Sequence, residues 1–235
     1  MTPPPKHPVD DYRRLIGAWE DGVRRHGAKP RALGWPTNVS LVTHYDVMLD
    51  IARHETGRFS LLDLGCGTGL LLDYLQARTD LPPIDYKGID VSPIIIDAAR
   101  RQWPKHEFEV RDILADPLPA ASVDYTIADG VCTTRAELSY DEMEAFAKAL
   151  TAAAWRSTRK ALAINFMSTH VDWTRDDLFH WPIDAAVAHC KRELSRHVVI
   201  RADYGAWEYT LQVYREPIAD SIPTPKRWLE TDDDT

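Results

Sequence analysis

Apolar positions along this chain recur with two periods, and the change from one to the other divides it. Residues 9–25 carry Tyr12, Leu15, Ile16 and Trp19 at helical spacing, and the run 29–36, with Pro30, Gly34 and Pro36, ends that helix. A second helix is predicted over residues 38–53, with Leu41, Val42, Tyr45, Met48 and Ile51 on one face. From residue 59 short apolar runs alternate with helical stretches. Strands are predicted at 60–64, 86–90, 107–111, 123–128 and 161–167, and helices at 70–77, 93–103, 140–156 and 182–194. Ser92-Pro93 supplies an N-cap and an N1 proline, and Ser139 with Glu142 three residues on forms a capping box. Two strands, 197–201 and 207–214, close the series across the short connection 202–205.

Strand–helix alternation demands crossover connections and hence parallel pairing, whereas the last connection is short enough only for an antiparallel pair. The expected fold is α/β: a seven-stranded, mostly parallel sheet with an antiparallel C-terminal strand, helices on both faces and two extra N-terminal helices. A disordered tail is expected over 1–8, a helical cap over 9–55, a core forming one domain with that cap over 56–217, and a second tail over 218–235.

The composition narrows the class. Of 235 residues 44% are hydrophobic, enough for an ordinary core, and the formal net charge of -8 argues against broad nucleic-acid or anionic-membrane binding. The three cysteines, Cys66, Cys132 and Cys190, are far apart and unpaired in pattern, which fits a reducing compartment and neither a zinc site nor a disulfide framework. No signal peptide or membrane-spanning run is read, so a cytoplasmic protein is expected.

Chemistry concentrates at residues 61–71, where an apolar run meets Gly65-x-Gly67-x-Gly69 and helix formers follow. A strand, a tight turn and a helix N-terminus are how open α/β sheets build a nucleoside site. The third glycine stands one residue earlier than the dinucleotide fingerprint requires. Asp63, just ahead of the turn, would repel a pyrophosphate and attract an ammonium or a sulfonium. Asp90 ends the second strand, where an acidic residue holds ribose hydroxyls in this architecture. Asp112 ends the third in the same way, as a hydrogen-bond acceptor for an adenine amino group or an ordinary turn residue.

Together, residues 61–71, 88–92, 110–112 and 124–130 resemble the ordered motifs of class I S-adenosylmethionine-dependent methyltransferases, a Rossmann-like family. The resemblance covers about residues 39–215. Residues 165–173 and 203–205 resemble a bacterial subgroup that includes small-molecule methyltransferases of biosynthetic clusters. The resemblance implies that Asp63, Gly65, Cys66 and Gly67 surround the methionine part and the ribose. It puts Asp90 on the ribose hydroxyls, Val91 beside the adenine, and Asp112 and Ile113 at the adenine edge. Asp129 and Gly130 would lie under the methionine amine, with Trp35 and Tyr45 at the mouth. S-adenosyl-L-methionine is thus the expected co-substrate.

In-line methyl transfer asks the protein mainly to align two reactants and exclude water. A hydroxyl acceptor benefits from a general base. The candidate base is His170, in the polar loop after the fifth strand, with His44 a lesser candidate. No paired-carboxylate metal motif follows the fourth strand, so no metal is expected. The (Asp/Asn)-Pro-Pro-aromatic run of nucleic-acid amino-methyltransferases is replaced by Ala128-Asp129-Gly130-Val131. The expected activity is O- or N-methylation of a small metabolite, such as a secondary-metabolite or saccharide intermediate. A protein or RNA methyltransferase, a non-catalytic partner subunit and a nicotinamide oxidoreductase are the competing readings. Nothing in the composition separates a monomer from a homodimer, and either is expected.

Overall fold

The computed structural model describes residues 12–35 and 38–218; the expectations for residues 1–8 and for the tail beyond 218 lie outside them. Within them the chain forms one sheet in the order β3-β2-β1-β4-β5-β7-β6. The strands are β1 (Phe59–Leu64), β2 (Ile84–Asp90), β3 (Glu107–Val110), β4 (Val123–Ala128), β5 (Thr158–Met167), β6 (His197–Arg201) and β7 (Glu208–Tyr214). All neighbours pair parallel except β7, which runs antiparallel to both β5 and β6.

Helices cover both faces. They are α1 (Ile16–His26), α2 (Asn38–Leu49), α3 (Leu70–Ala77), α4 (Pro93–Gln102), α5 (Tyr140–Ser157) and α6 (Ile183–Glu193). Double coverage explains the near-continuous apolar strands. Side chains alternate between two cores: Leu62 and Leu64 pack with Phe146 and Leu150 of α5, while Leu61 packs with residues of α2, α3 and α4. Local signals operate as expected. Ser92 Oγ accepts from Ile95 N at 3.3 Å, and Ser139 and Glu142 close a reciprocal capping box.

The structure differs from expectation at a few boundaries. The helix predicted over 38–53 ends at Leu49 and finishes as a 3-10 turn, Asp50–Ala52. Val42 is 45% exposed, because α2 packs between α3 and the β5–β7 pair and buries Leu41, Tyr45, Met48 and Leu49 instead. Gln212 of β7 fastens the helix by donating to Val47 O at 2.9 Å. Strand β5 begins three residues early, where Thr158 pairs with Val123.

One topological fact positions the site. The chain leaves β1 for β2 and β3 on one side, then returns to β4 on the other. The crevice beyond the carboxyl ends of β1 and β4 is where such sheets bind ligands.

Candidate functional site

Beyond β1 the backbone turns sharply toward β2: the amides of Gly65 and Cys66 both donate to Ile89 O, at 2.8 and 3.0 Å. The glycine loop then passes over the end of β2, where Gly67 N donates to Asp90 Oδ2 at 3.3 Å. Asp90 Oδ1 accepts from Ser92 N at 3.0 Å, so one carboxylate braces both the loop and the start of α4. Gly67 has φ +56, and a Cβ there would stand 2.5 Å from Leu33 Cδ1. Only glycine allows both that backbone conformation and that closeness.

A cavity opens at this point. Asp63, Gly65, Cys66 and Gly67 line it from β1 and the loop, and Asp90, Val91, Asp112 and Ile113 from the ends of β2 and β3. Asp129 and Gly130 line it from the end of β4, and Trp35 and Tyr45 from the N-terminal segment. One part of its wall was not legible as site: Tyr12, Leu15, Ile16 and Trp19, with Leu33, close it from the N-terminal side. The signal was present as an apolar helical face with no assigned partner.

Electrostatically the cavity is acidic. Asp63 is buried, accepts from Tyr86 OH at 2.8 Å, and has its pKa raised to about 7. Burial is the main cause; the Tyr86 bond opposes it, and the charges of Asp129 and Asp90 add to it. Burial likewise raises Asp90 despite its amide bonds. Among the described residues the buried Asp129 Oδ2 has no hydrogen-bond partner, which is costly for a carboxylate oxygen unless a donor reaches it. Clustered carboxylates around an orphaned oxygen fit a cationic ligand and disfavour a pyrophosphate. The apolar wall of Val91, Ile113 and Ile95 suits a flat heterocycle. Both halves fit the amino-acid and nucleoside ends of S-adenosylmethionine.

Asp112 is more occupied than expected. Its Oδ1 accepts from Leu114 N and Ala115 N, while Oδ2 accepts from Tyr12 OH and Arg13 Nη2. Burial opposes its ionisation, but these bonds outweigh burial and its pKa is lowered. The carboxylate therefore anchors the N-terminal segment and caps a turn.

The structure does not bring His170 to the cavity. It is exposed, with its amide donating to Ser168 Oγ at 3.0 Å. The start of the loop is tied to the residue just ahead of β7, since Ser168 N donates to Trp207 O, and the loop closes on itself where His180 Nδ1 sits 2.7 Å from Ser168 O. His44, by contrast, is buried on α2 directly behind Asp129. Among the described residues no group of three or more His, Cys, Asp or Glu side chains is arranged to hold a metal ion, and no helix is long and apolar enough to cross a membrane.

Comparison with known proteins gives the same picture from another side. The family profile described as a methyltransferase domain matches residues 61–154. The protein named "Putative methyltransferase Rv1506c", of Mycobacterium tuberculosis strain H37Rv, is 37% identical over 161 residues, 66% of this chain and 92% of that protein. Among solved structures, the magnesium protoporphyrin IX methyltransferase of Synechocystis PCC 6803, crystallised with SAH, superimposes with a TM-score of 0.60 at 15% identity, covering 88% of this chain and 100% of that one. The sugar N-methyltransferase KedS8 of a Streptoalloteichus species gives 0.54 at 17%, covering 74% and 87%. At such identities the two structures speak for the fold.

Proposed function

The chain belongs to the class I S-adenosylmethionine-dependent methyltransferases, and on that premise we propose that it methylates an oxygen or nitrogen of a small metabolite, such as a secondary-metabolite or saccharide intermediate. The observation carrying this reading is the acidic, partly apolar cavity at the switch point between β1 and β4, with the glycine loop on one side and Asp129 on the other.

S-adenosylmethionine, when bound, supplies a methyl carbon activated by a sulfonium. The rest falls to the protein. Asp90 holds the ribose hydroxyls in this reading, through the lone pairs its amide bonds leave free. Asp63 and Asp129 favour positive charge, and the glycine loop admits close approach by its backbone. Leu33, Trp35 and Tyr45 exclude water from the reacting end. The acidic overall charge and the absence of an (Asp/Asn)-Pro-Pro run at the end of β4 support a small acceptor over a nucleic acid. The Synechocystis and Streptoalloteichus enzymes are named for a porphyrin and a sugar, and acceptors of comparable size suit this chain.

Thermal denaturation with added ligand tests the reading. S-adenosylmethionine or its demethylated product at 100 times the dissociation constant should stabilise by about 2.7 kcal/mol, or several degrees for a chain of this size. A shift with NAD and none with either methyl-donor ligand would overturn it. A screen of small hydroxyl- and amine-bearing acceptors, followed by mass spectrometry for a gain of one methyl group, then identifies the acceptor atom.

A further inference from the structure

Behind the cavity wall, acids from two strand ends meet a single imidazole of the cap helix α2. His44 Nδ1 lies 3.2 Å from Asp129 Oδ1 and 3.8 Å from Glu208 Oε2. Asp129 follows β4, and Glu208 opens β7. Asn165 of β5 links the same two strand ends: its Nδ2 donates to Glu208 Oε2, and its Oδ1 accepts from Gly130 N at 2.8 Å. Trp35 and Tyr204 enclose the ring edge-on, with centroids 4.7 and 5.5 Å away. Tyr204 itself is turned to Thr210, 3.1 Å from its hydroxyl. The acids facing His44 are thus Asp129 and Glu208. Burial disfavours charge on the ring, but the hydrogen bond to Asp129 and the two nearby carboxylates outweigh it and raise its pKa.

This arrangement fixes the orientation of Asp129. With Oδ1 held by His44, the carboxylate cannot swing to satisfy Oδ2 elsewhere. Among the described residues Oδ2 has no hydrogen-bond partner; it stays buried, on a side chain only 6% exposed of a residue that lines the cavity. Asp63 lies close enough on the same wall for the charge of Asp129 to raise its pKa. Two carboxylates addressing one region call for a cation there rather than a neutral hydroxyl.

We propose that His44 is a positioning residue of the methyl-transfer site: held against Asp129 and Glu208, it presents Asp129 Oδ2 to the cavity to receive the ammonium group of the methyl donor. The proposal rests on the reading that the cavity holds S-adenosylmethionine. It gives the N-terminal cap a share in cofactor selection through His44, on the same helix that places Tyr45 in the cavity wall.

Calorimetric titration with two probes tests it. S-adenosylhomocysteine carries the ammonium; 5′-methylthioadenosine keeps the nucleoside and thioether but lacks the amino-acid end. His44→Phe keeps the ring bulk and removes the donor. It should weaken S-adenosylhomocysteine about tenfold while leaving 5′-methylthioadenosine within about twofold. His44→Gln, which retains an N–H, should recover most of the loss. Asp129→Asn, nearly isosteric, should reproduce the selective loss and keeps the test decisive if His44→Phe fails to fold. Equal loss for both probes would mean a merely structural role, and unchanged affinity for both would remove His44 from the site; either overturns the proposal. A wild-type protein that binds neither probe overturns the cofactor reading as well, a result distinct from both of these.

Discussion

The hydroxyl of Tyr12 donates to Asp112 Oδ2, a hundred residues further along the chain. Arg13 Nη2 reaches the same oxygen at 3.1 Å, and Tyr12 stacks on Phe146 with centroids 5.0 Å apart. The first turn of the N-terminal segment is therefore latched across the cavity by the very carboxylate expected at the adenine edge.

Removing that latch should loosen the segment. Tyr12→Phe keeps the stacking and deletes one charge-assisted hydrogen bond, a loss of about 1–2 kcal/mol. Hydrogen exchange by mass spectrometry should show faster exchange in α1, with β1 and β4 unchanged. Unaltered exchange in α1 would show that the latch holds nothing.

A methyl group added to the glycine loop should be felt at once. Gly67→Ala places a side chain in the left-handed region, at a cost of about 1–2 kcal/mol, and presses it against Leu33 Cδ1. Urea denaturation should show the lost stability, and titration should show weaker S-adenosylhomocysteine binding. Gly57→Ala is the control: its φ is ordinary and nothing lies within 4 Å of the added carbon, so both readings should match the wild type.

The acidic wall predicts a proton balance. Asp63 holds its proton up to about pH 7 in the folded chain, whereas an unfolded aspartate loses it near pH 4. Its contribution to stability is thus complete below about pH 4 and is lost as pH rises through about 7. A bound cation acts the other way, favouring the carboxylate. S-adenosylmethionine binding near pH 7 should therefore release protons, and affinity should rise with pH through that range. Glu208, also raised to about 7 by burial, contributes in the same sense. Calorimetry in two buffers of different ionisation enthalpy measures the release, which should shrink in Asp63→Asn. Net proton uptake by the wild type would contradict this account.

His170 is exposed and outside the cavity wall. His170→Ala should accordingly leave turnover within about twofold of the wild type once an acceptor is known, because a positioned general base is worth about a hundredfold or more. A loss of that size would return proton transfer to the loop after β5.

Much of this protein was decided locally and was therefore legible in the sequence. Caps, prolines and glycines act within three or four residues, so the alternation of strands and helices, the turn at Gly65–Gly69 and the strand-end position of Asp90 could be placed from spacing alone. The acidic strand ends were legible for the same reason, since a parallel sheet at a switch point must bring them to one edge. Tertiary packing decided the rest. Nothing near Tyr12 in sequence points to Asp112, and the apolar face of α1 did not disclose that it would wall a cavity. His44 meets Asp129 only because α2 is fastened to β7, and Glu208 joins them only because β7 runs antiparallel beside β5. His170 stood in the right loop by order along the chain, yet the Ser168–Trp207 bond ties that loop to the segment just ahead of β7, and His170 does not line the cavity. Local rules choose elements and turns; which buried charges share a hydrogen bond depends on how distant elements pack, and no short-range pattern records that.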